Sequence, residues 1–238
     1  QASSDEVSIE TAVNSEDVNI YRQLAGGVTT AQILHGSANP IGGQSAIIKF
    51  RWGASPQEML FGAAPPFIKF ALGENVKQSN WGNDYRSRFP QTRMGVEQVY
   101  YDAFTRALAY EKEWQLWKDG ASEKKPRVDL ELDILLEILK RERFVTCHSY
   151  IQSEINMLMH VADSMGFNIN TFTHILEGYK LADKMVKHGA GGSTFSDWWA
   201  YKYEVNDAIP YNAAMMNAQG VIVAINSDDA EMGRRLNQ

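Results

Sequence analysis

The sequence holds a single cysteine, Cys147, so no internal disulfide framework can form. A lone thiol does not settle the redox compartment, because many exported bacterial proteins also lack disulfides. No apolar run reaches the roughly 18 residues of a membrane-spanning helix, and no basic-then-apolar leader opens the chain. Basic residues are in the minority. With 23 Lys and Arg against 29 Asp and Glu, a formal charge of −6 and a pI near 5.4, neither nucleic acid nor an anionic membrane is expected as the main partner. There is no low-complexity tract and no repeat beyond a strand-plus-helix unit. The glycines of Gly36–Gln44 lack the lysine and Ser or Thr of a nucleotide loop, so this stretch reads as a flexible loop facing a small-molecule substrate, with Asn39 and Gln44 as its polar contacts.

What the chain does have is length and alternation. Its 238 residues, 44% hydrophobic, suit one α/β domain with a real core, spanning 1–238. Strand-like runs recur at Val28–Leu34, Ala46–Trp52, Phe67–Leu72, Phe144–Cys147, Phe167–Thr173, Gly192–Phe195 and Val221–Ser227. Helix-like segments stand at Ser15–Ala25, Gly95–Lys118, Leu130–Arg141, Ile151–Met165, Tyr179–Lys187 and Asn206–Asn217. Ile151, Ile155, Leu158, Val161, Ala162 and Met165 repeat at helical spacing, a stripe to lay against a sheet. Most strands are continuously apolar, as in a parallel sheet covered on both faces. The alternation predicts right-handed βαβ crossovers and a TIM-type (β/α)8 barrel, incomplete because seven strands are countable and the first helix precedes the first strand. Asn75–Arg93 reads as a long polar loop over the strand ends, and lysine-rich Asp119–Arg127 as a solvated turn.

Polar residues sit just past several of these strands. His148 follows Arg143-Phe-Val-Thr-Cys147, His174 follows Phe167-Asn-Ile-Asn-Thr-Phe-Thr173, and Asp228 follows Val221-Ile-Val-Ala-Ile-Asn-Ser227. The histidines are one strand-plus-helix unit apart, and Asp228 lies two further on. In a parallel barrel equivalent strand ends meet on one face, so the three would converge, and two imidazoles with a carboxylate could hold a divalent metal. His35 ends the first strand on the same face, where contact with substrate or metal and turn capping are equally good readings. Trp198, beside Trp199 after a late strand, is a candidate wall of a substrate pocket. Arg86, Arg88 and Arg93 read as solvated loop residues, with pairing to a substrate carboxylate as the sharper alternative. His160 on a helix and His188 at a helix end read as structural. Cys147 points away from His148 by strand alternation and reads as packing.

Gly26-Gly-Val-Thr-Thr30, Thr-His-Ile-Leu-Glu-Gly around His174 and Ile-Asn-Ser-Asp-Asp around Asp228 resemble the amidohydrolase superfamily. Gly36-Ser-Ala-Asn-Pro-Ile-Gly-Gly-Gln44, Lys69-Phe-Ala-Leu-Gly-Glu-Asn75 and Ser193-Thr-Phe-Ser-Asp-Trp-Trp199 resemble, more narrowly, an imidazolonepropionase-like group often exported by bacteria, which suggests a periplasmic or exported protein. The resemblance covers nearly the whole chain. It implies a metal-dependent hydrolase of non-peptide or small-peptide C–N bonds, with His148 and His174 as ligands and Asp228 as both ligand and general base. Zinc is the first choice of metal; iron, manganese and nickel suit the same donors. The remaining ligand is Glu74 or a carboxylated Lys69, Glu74 being favoured. The His-x-His pair such proteins carry before Gly-Val-Thr-Thr has no counterpart in Gln1–Ala25, and the chain stops soon after Asp228. We therefore expect a fragment truncated at both ends, inactive alone, with an exposed barrel edge that favours self-association. A catalytically silent barrel and a metal-dependent deaminase are the competing readings.

Overall fold

The structure, a computed structural model, describes residues 2–79, 81, 82, 88–196 and 200–236. Seven strands form one curled sheet in sequence order: β1 (Thr30–Ile33), β2 (Ile41–Lys49), β3 (Phe67–Ala71), β4 (Phe144–Ser149), β5 (Thr171–His174), β6 (Gly191–Phe195) and β7 (Val223–Asn226). The helices are α1 (Val18–Ala25), α2 (Pro56–Met59), α3 (Arg93–Lys118), α4 (Leu130–Leu139), α5 (Gln152–Met165), α6 (Ala182–His188), α7 (Asn212–Ala218) and α8 (Ala230–Gly233).

The expected all-parallel (β/α)8 barrel is not what forms. β1 pairs antiparallel with β2 and β2 antiparallel with β3; only β3 to β7 run parallel, and the sheet is a mixed, curled half-barrel. Chain length between strands explains the first of these antiparallel pairings. Residues 34–40 are too few for a parallel crossover, which needs about a dozen residues or more. From β3 onward every connection carries at least one helix. Among the described residues no ladder joins β7 to β1. The curled ends meet instead through helices: Gln23 of α1 donates to the Ala230 carbonyl at 2.8 Å, and Arg22 lies 4.0 Å from Glu231.

β2 also begins earlier than expected, taking in Ile41 to Gln44 from the supposed loop. Glycine disfavours strands, but here it serves close approach. A side chain at Gly42 would meet the Lys69 carbonyl at 2.7 Å, and one at Gly43 would meet the His35 ring at 2.9 Å. The ladder shifts register between Ile41 and Gln44, as at a bulge. Residues 3–8 cover the start of β2 through parallel bridges at Ser3–Ile41 and Ser8–Gln44. The expected Asn206–Asn217 helix shortens to α7, since Pro210 disfavours helical backbone at the residue before it.

The parallel region separates two chemistries across the sheet. Phe70, Cys147 and Phe172 are in register and turn toward the helices. There Phe70 packs on Tyr100, Phe104 and Phe167, and Phe104 stacks on Phe167 with 4.1 Å between centroids. Strand alternation then sends Lys69, Thr146, His148 and Thr173 to the opposite, polar face. Among the described residues no helix is long and apolar enough to cross a membrane.

Candidate functional site

His148 is 4% exposed near the end of β4, and both ring nitrogens are buried without a hydrogen-bond partner in the protein. Leaving two such atoms unsatisfied costs more than any packing need explains, since buried polar groups are almost always paired. Burial, helped by His174, Lys69 and Lys202, holds its pKa well below the ordinary imidazole range, so the ring is neutral and its lone pair free.

His174 ends β5 with its ring centroid 4.7 Å from that of His148. Alternation alone would turn His174 away from Thr173 and His148. Its left-handed backbone, φ 68°, accompanies the ring's return to the polar face. The ring stacks on Phe195 at 4.4 Å, and Asn226 donates to Nδ1 at 3.4 Å while accepting from Ser193 at 3.0 Å. Burial, with the positive charges of Lys69 and Lys202, lowers its pKa to about 3.

Lys69 on β3 is 4% exposed, and its ammonium donates to the His35 carbonyl at 3.3 Å. Burial pulls its pKa down, against the pull of Cys147 and Asp228. Glu74 is placed differently: its carboxylate is 2.8 Å from Lys202, and its backbone N–H donates to Glu204 at 2.8 Å. With Lys77, Arg93, Glu177, Glu204 and Asp207 it lines a cleft of about 350 Å³.

Asp228 is exposed after β7, and its charge acts on both Lys69 and Tyr150. The neighbouring Asp229 is occupied elsewhere, accepting from the N–H groups of Glu231 and Met232 at the start of α8. The two histidines do not form, with any described carboxylate or thiol, a trio whose ligand atoms all lie within 4.8 Å. The chain thus brings together His148, His174 and Lys69, with Asp228 at the rim.

Other candidates have different work. Asn39 donates to Ser4 at 2.8 Å, and Gln44 donates to the carbonyls of Asp5 and Glu6, so both tie the N-terminal segment to β2. His35 turns Nδ1 to the Gly36 carbonyl at 2.9 Å and gives its own carbonyl to Lys69. Trp198, Asp197, Trp199 and Arg86 lie outside the described residues. Arg93 pairs with buried Glu154 at 2.8 Å. His188 bridges Asp163 and the Ile169 N–H, while His160 is exposed. Cys147 is fully buried on the helix side, where burial pushes its thiol well up.

Tyr150 escaped sequence reading. It packs edge-on against His148 at 4.7 Å and lies parallel to His174 at 5.8 Å. The signal was its position two residues after His148, on the same side by alternation.

No protein-family model matches the chain. It is 28% identical over 234 residues to "Amidohydrolase tasK" of Hapsidospora irregularis, covering 90% of this chain and 23% of that protein. It also superposes on the crystal structure of an amidohydrolase from Thermotoga maritima MSB8, with a TM-score of 0.87 and 27% identity, over 99% of this chain and 60% of that one. The chain therefore spans less than two thirds of either relative. Both are named amidohydrolases, and the likeness in sequence and structure supports that general type.

Proposed function

We propose that this chain carries part of the active site of an amidohydrolase-type enzyme that hydrolyses C–N bonds of small molecules with a divalent metal. The observation that carries this reading is His148: a neutral imidazole, both nitrogens buried and unpartnered, 4.7 Å from a second neutral imidazole. Such a pair fits a zinc-like ion, which wants imidazole lone pairs and desolvated surroundings. When bound, the ion supplies Lewis acidity for the scissile carbonyl and for water.

Lys69 is our choice over Glu74 as the third contributor. It shares the polar face with His148, and burial biases it toward the neutral amine, which can add CO2 to give a carbamate and release a proton. Glu74 is committed to Lys202. Asp228 is the proton carrier: beside the site yet exposed, its carboxylate takes a proton from water and returns it to the leaving amine. Phe195 and Tyr150 wall the imidazoles and exclude water around them.

The test is metal analysis of purified protein, followed by assay of the longest natural form against N-acyl amino acids, dipeptides, cyclic ureides and aminopurines. Stoichiometric metal lost in His148→Ala, with release of amine from an amide, supports the proposal. Ammonia release from an aminopurine would make it a deaminase. Absence of bound metal after zinc reconstitution would overturn it.

A further inference from the structure

A second group of chemistry-bearing residues lies away from the histidines. Asp5, Glu6 and Glu131 place ligand oxygens within 4.8 Å of one another, although they come from the N-terminal segment and the first turn of α4. Three carboxylates at that spacing repel strongly unless something positive joins them. The protein supplies little: Arg106 lies 3.9 Å from Glu131 and is itself well exposed, which makes a weak pair.

The burial makes the deficit sharper. Asp5 is 0% exposed, yet only one of its oxygens is satisfied, by the Ser3 hydroxyl at 2.8 Å. Its Oδ2 is buried without a hydrogen-bond donor, and so is Oε2 of Glu6. Two buried, unpartnered carboxylate oxygens beside a third carboxylate are the donor set of a hard cation.

We propose that Asp5, Glu6 and Glu131 bind a divalent, oxygen-seeking cation of the calcium type, pinning the N-terminal segment to α4. The backbone is already arranged for this. Gln44 holds the carbonyls of Asp5 and Glu6, Ser4 N–H donates to the Ile41 carbonyl, and Asp129 caps α4 at Leu132. Both pieces are thus fixed before any ion arrives. Metal-free, the cluster instead keeps a proton, and burial, with Glu131 and Glu6 nearby, pushes Asp5 up to about 7.

The cation choice follows from the ligands. All three are carboxylates with no nitrogen or sulfur donor, which suits calcium and leaves zinc to the imidazoles. Seating it would turn mutual repulsion into a link between residues far apart in sequence.

Tyr110 lines the same groove as Glu6 and Glu131, so terbium(III) seated on the carboxylates would be sensitised by it. Titration of the metal-free protein with terbium should saturate at one ion per chain, and Ca2+ should displace it. Saturating Ca2+ should raise Tm by about 5 °C or more. Asp5→Asn and Glu131→Gln should each weaken terbium affinity at least about tenfold, whereas His148→Ala with His174→Ala should not change it. Glu131 is partly exposed, so its variant reports even where Asp5→Asn folds poorly. Binding without saturation, or equal affinity in Glu131→Gln, would overturn the proposal, as would a Tm indifferent to Ca2+.

Discussion

The ammonium of Lys202 lies 4.5 Å from the ring centroid of Tyr150, held there by Glu74 at 2.8 Å and Glu204 at 3.1 Å. One cation thus joins the wall of the imidazole site to the carboxylates of the adjacent cleft. Glu204 is nearly buried, with its side chain 6% exposed, and depends on that cation. Lys202→Met is expected to cost about 2–4 kcal/mol in urea unfolding, because an uncompensated carboxylate remains inside. Adding Glu204→Gln should recover at least about 1 kcal/mol; a double variant no more stable than the single would break the assigned coupling.

His148 should show the opposite sign. Its two unpartnered nitrogens burden the metal-free fold, so His148→Leu is expected to raise metal-free stability by about 1–3 kcal/mol while abolishing metal binding. Denaturation with and without chelator checks the first half, and elemental analysis the second. A large loss of stability in the metal-free variant would mean the ring is a packing element.

Acid should weaken the metal-free protein through the imidazoles. His174 titrates at about 3 when folded and near 6.5 when unfolded, and His148 is displaced the same way. Below 6.5 the unfolded chain binds protons that the folded chain refuses, so this contribution is intact above 6.5 and is lost as pH falls toward 3. The slope approaches about 1.4 kcal/mol per pH unit for each ring. Asp5, pushed up to about 7, works in the opposite direction between that value and 3.8. The imidazole share is therefore read as the difference between the protein and His148→Leu with His174→Asn, which suits the left-handed backbone there. Parallel stability curves for the two would contradict it.

Adjacent aspartates should part company on substitution. In the longest natural form, Asp228→Asn is expected to keep its metal and lose most turnover. Asp229→Ala should keep turnover and lose about 1 kcal/mol, as for a helix N-cap. Steady-state kinetics and thermal melts on both variants separate the roles; unchanged kinetics in Asp228→Asn would remove that residue from the mechanism.

The sequence made β3 through β7 legible because apolar runs there alternate with the helical segments that became α3 to α7. It singled out His148, His174 and Asp228 because strand ends recur at that period. The start of β2 was misread for a local reason. Gly42 and Gly43 look like loop residues, and only the Lys69 carbonyl and His35 ring pressing on them explain a strand there. Antiparallel pairing likewise depends on which partner a short connection can reach, which composition does not reveal. Asn39 and Gln44 look free in sequence, since their partners are backbone and hydroxyl groups of the N-terminal segment. Our preference for Lys69 over Glu74 rests on the Lys202 ion pair, formed with a residue distant in the chain.

The left-handed backbone at His174 also bears on which replacements that position can accept. Few residue types other than glycine tolerate φ near 68°, histidine, asparagine and aspartate being the readiest. Position 148, on regular strand, could trade its imidazole for cysteine or glutamate with no conformational penalty. At position 174 those ligands would need backbone rearrangement as well as new chemistry. The two histidines are therefore unequal as starting points for change: a library that alters the donor set has wide latitude at 148, and at 174 a repertoire confined largely to aspartate and asparagine.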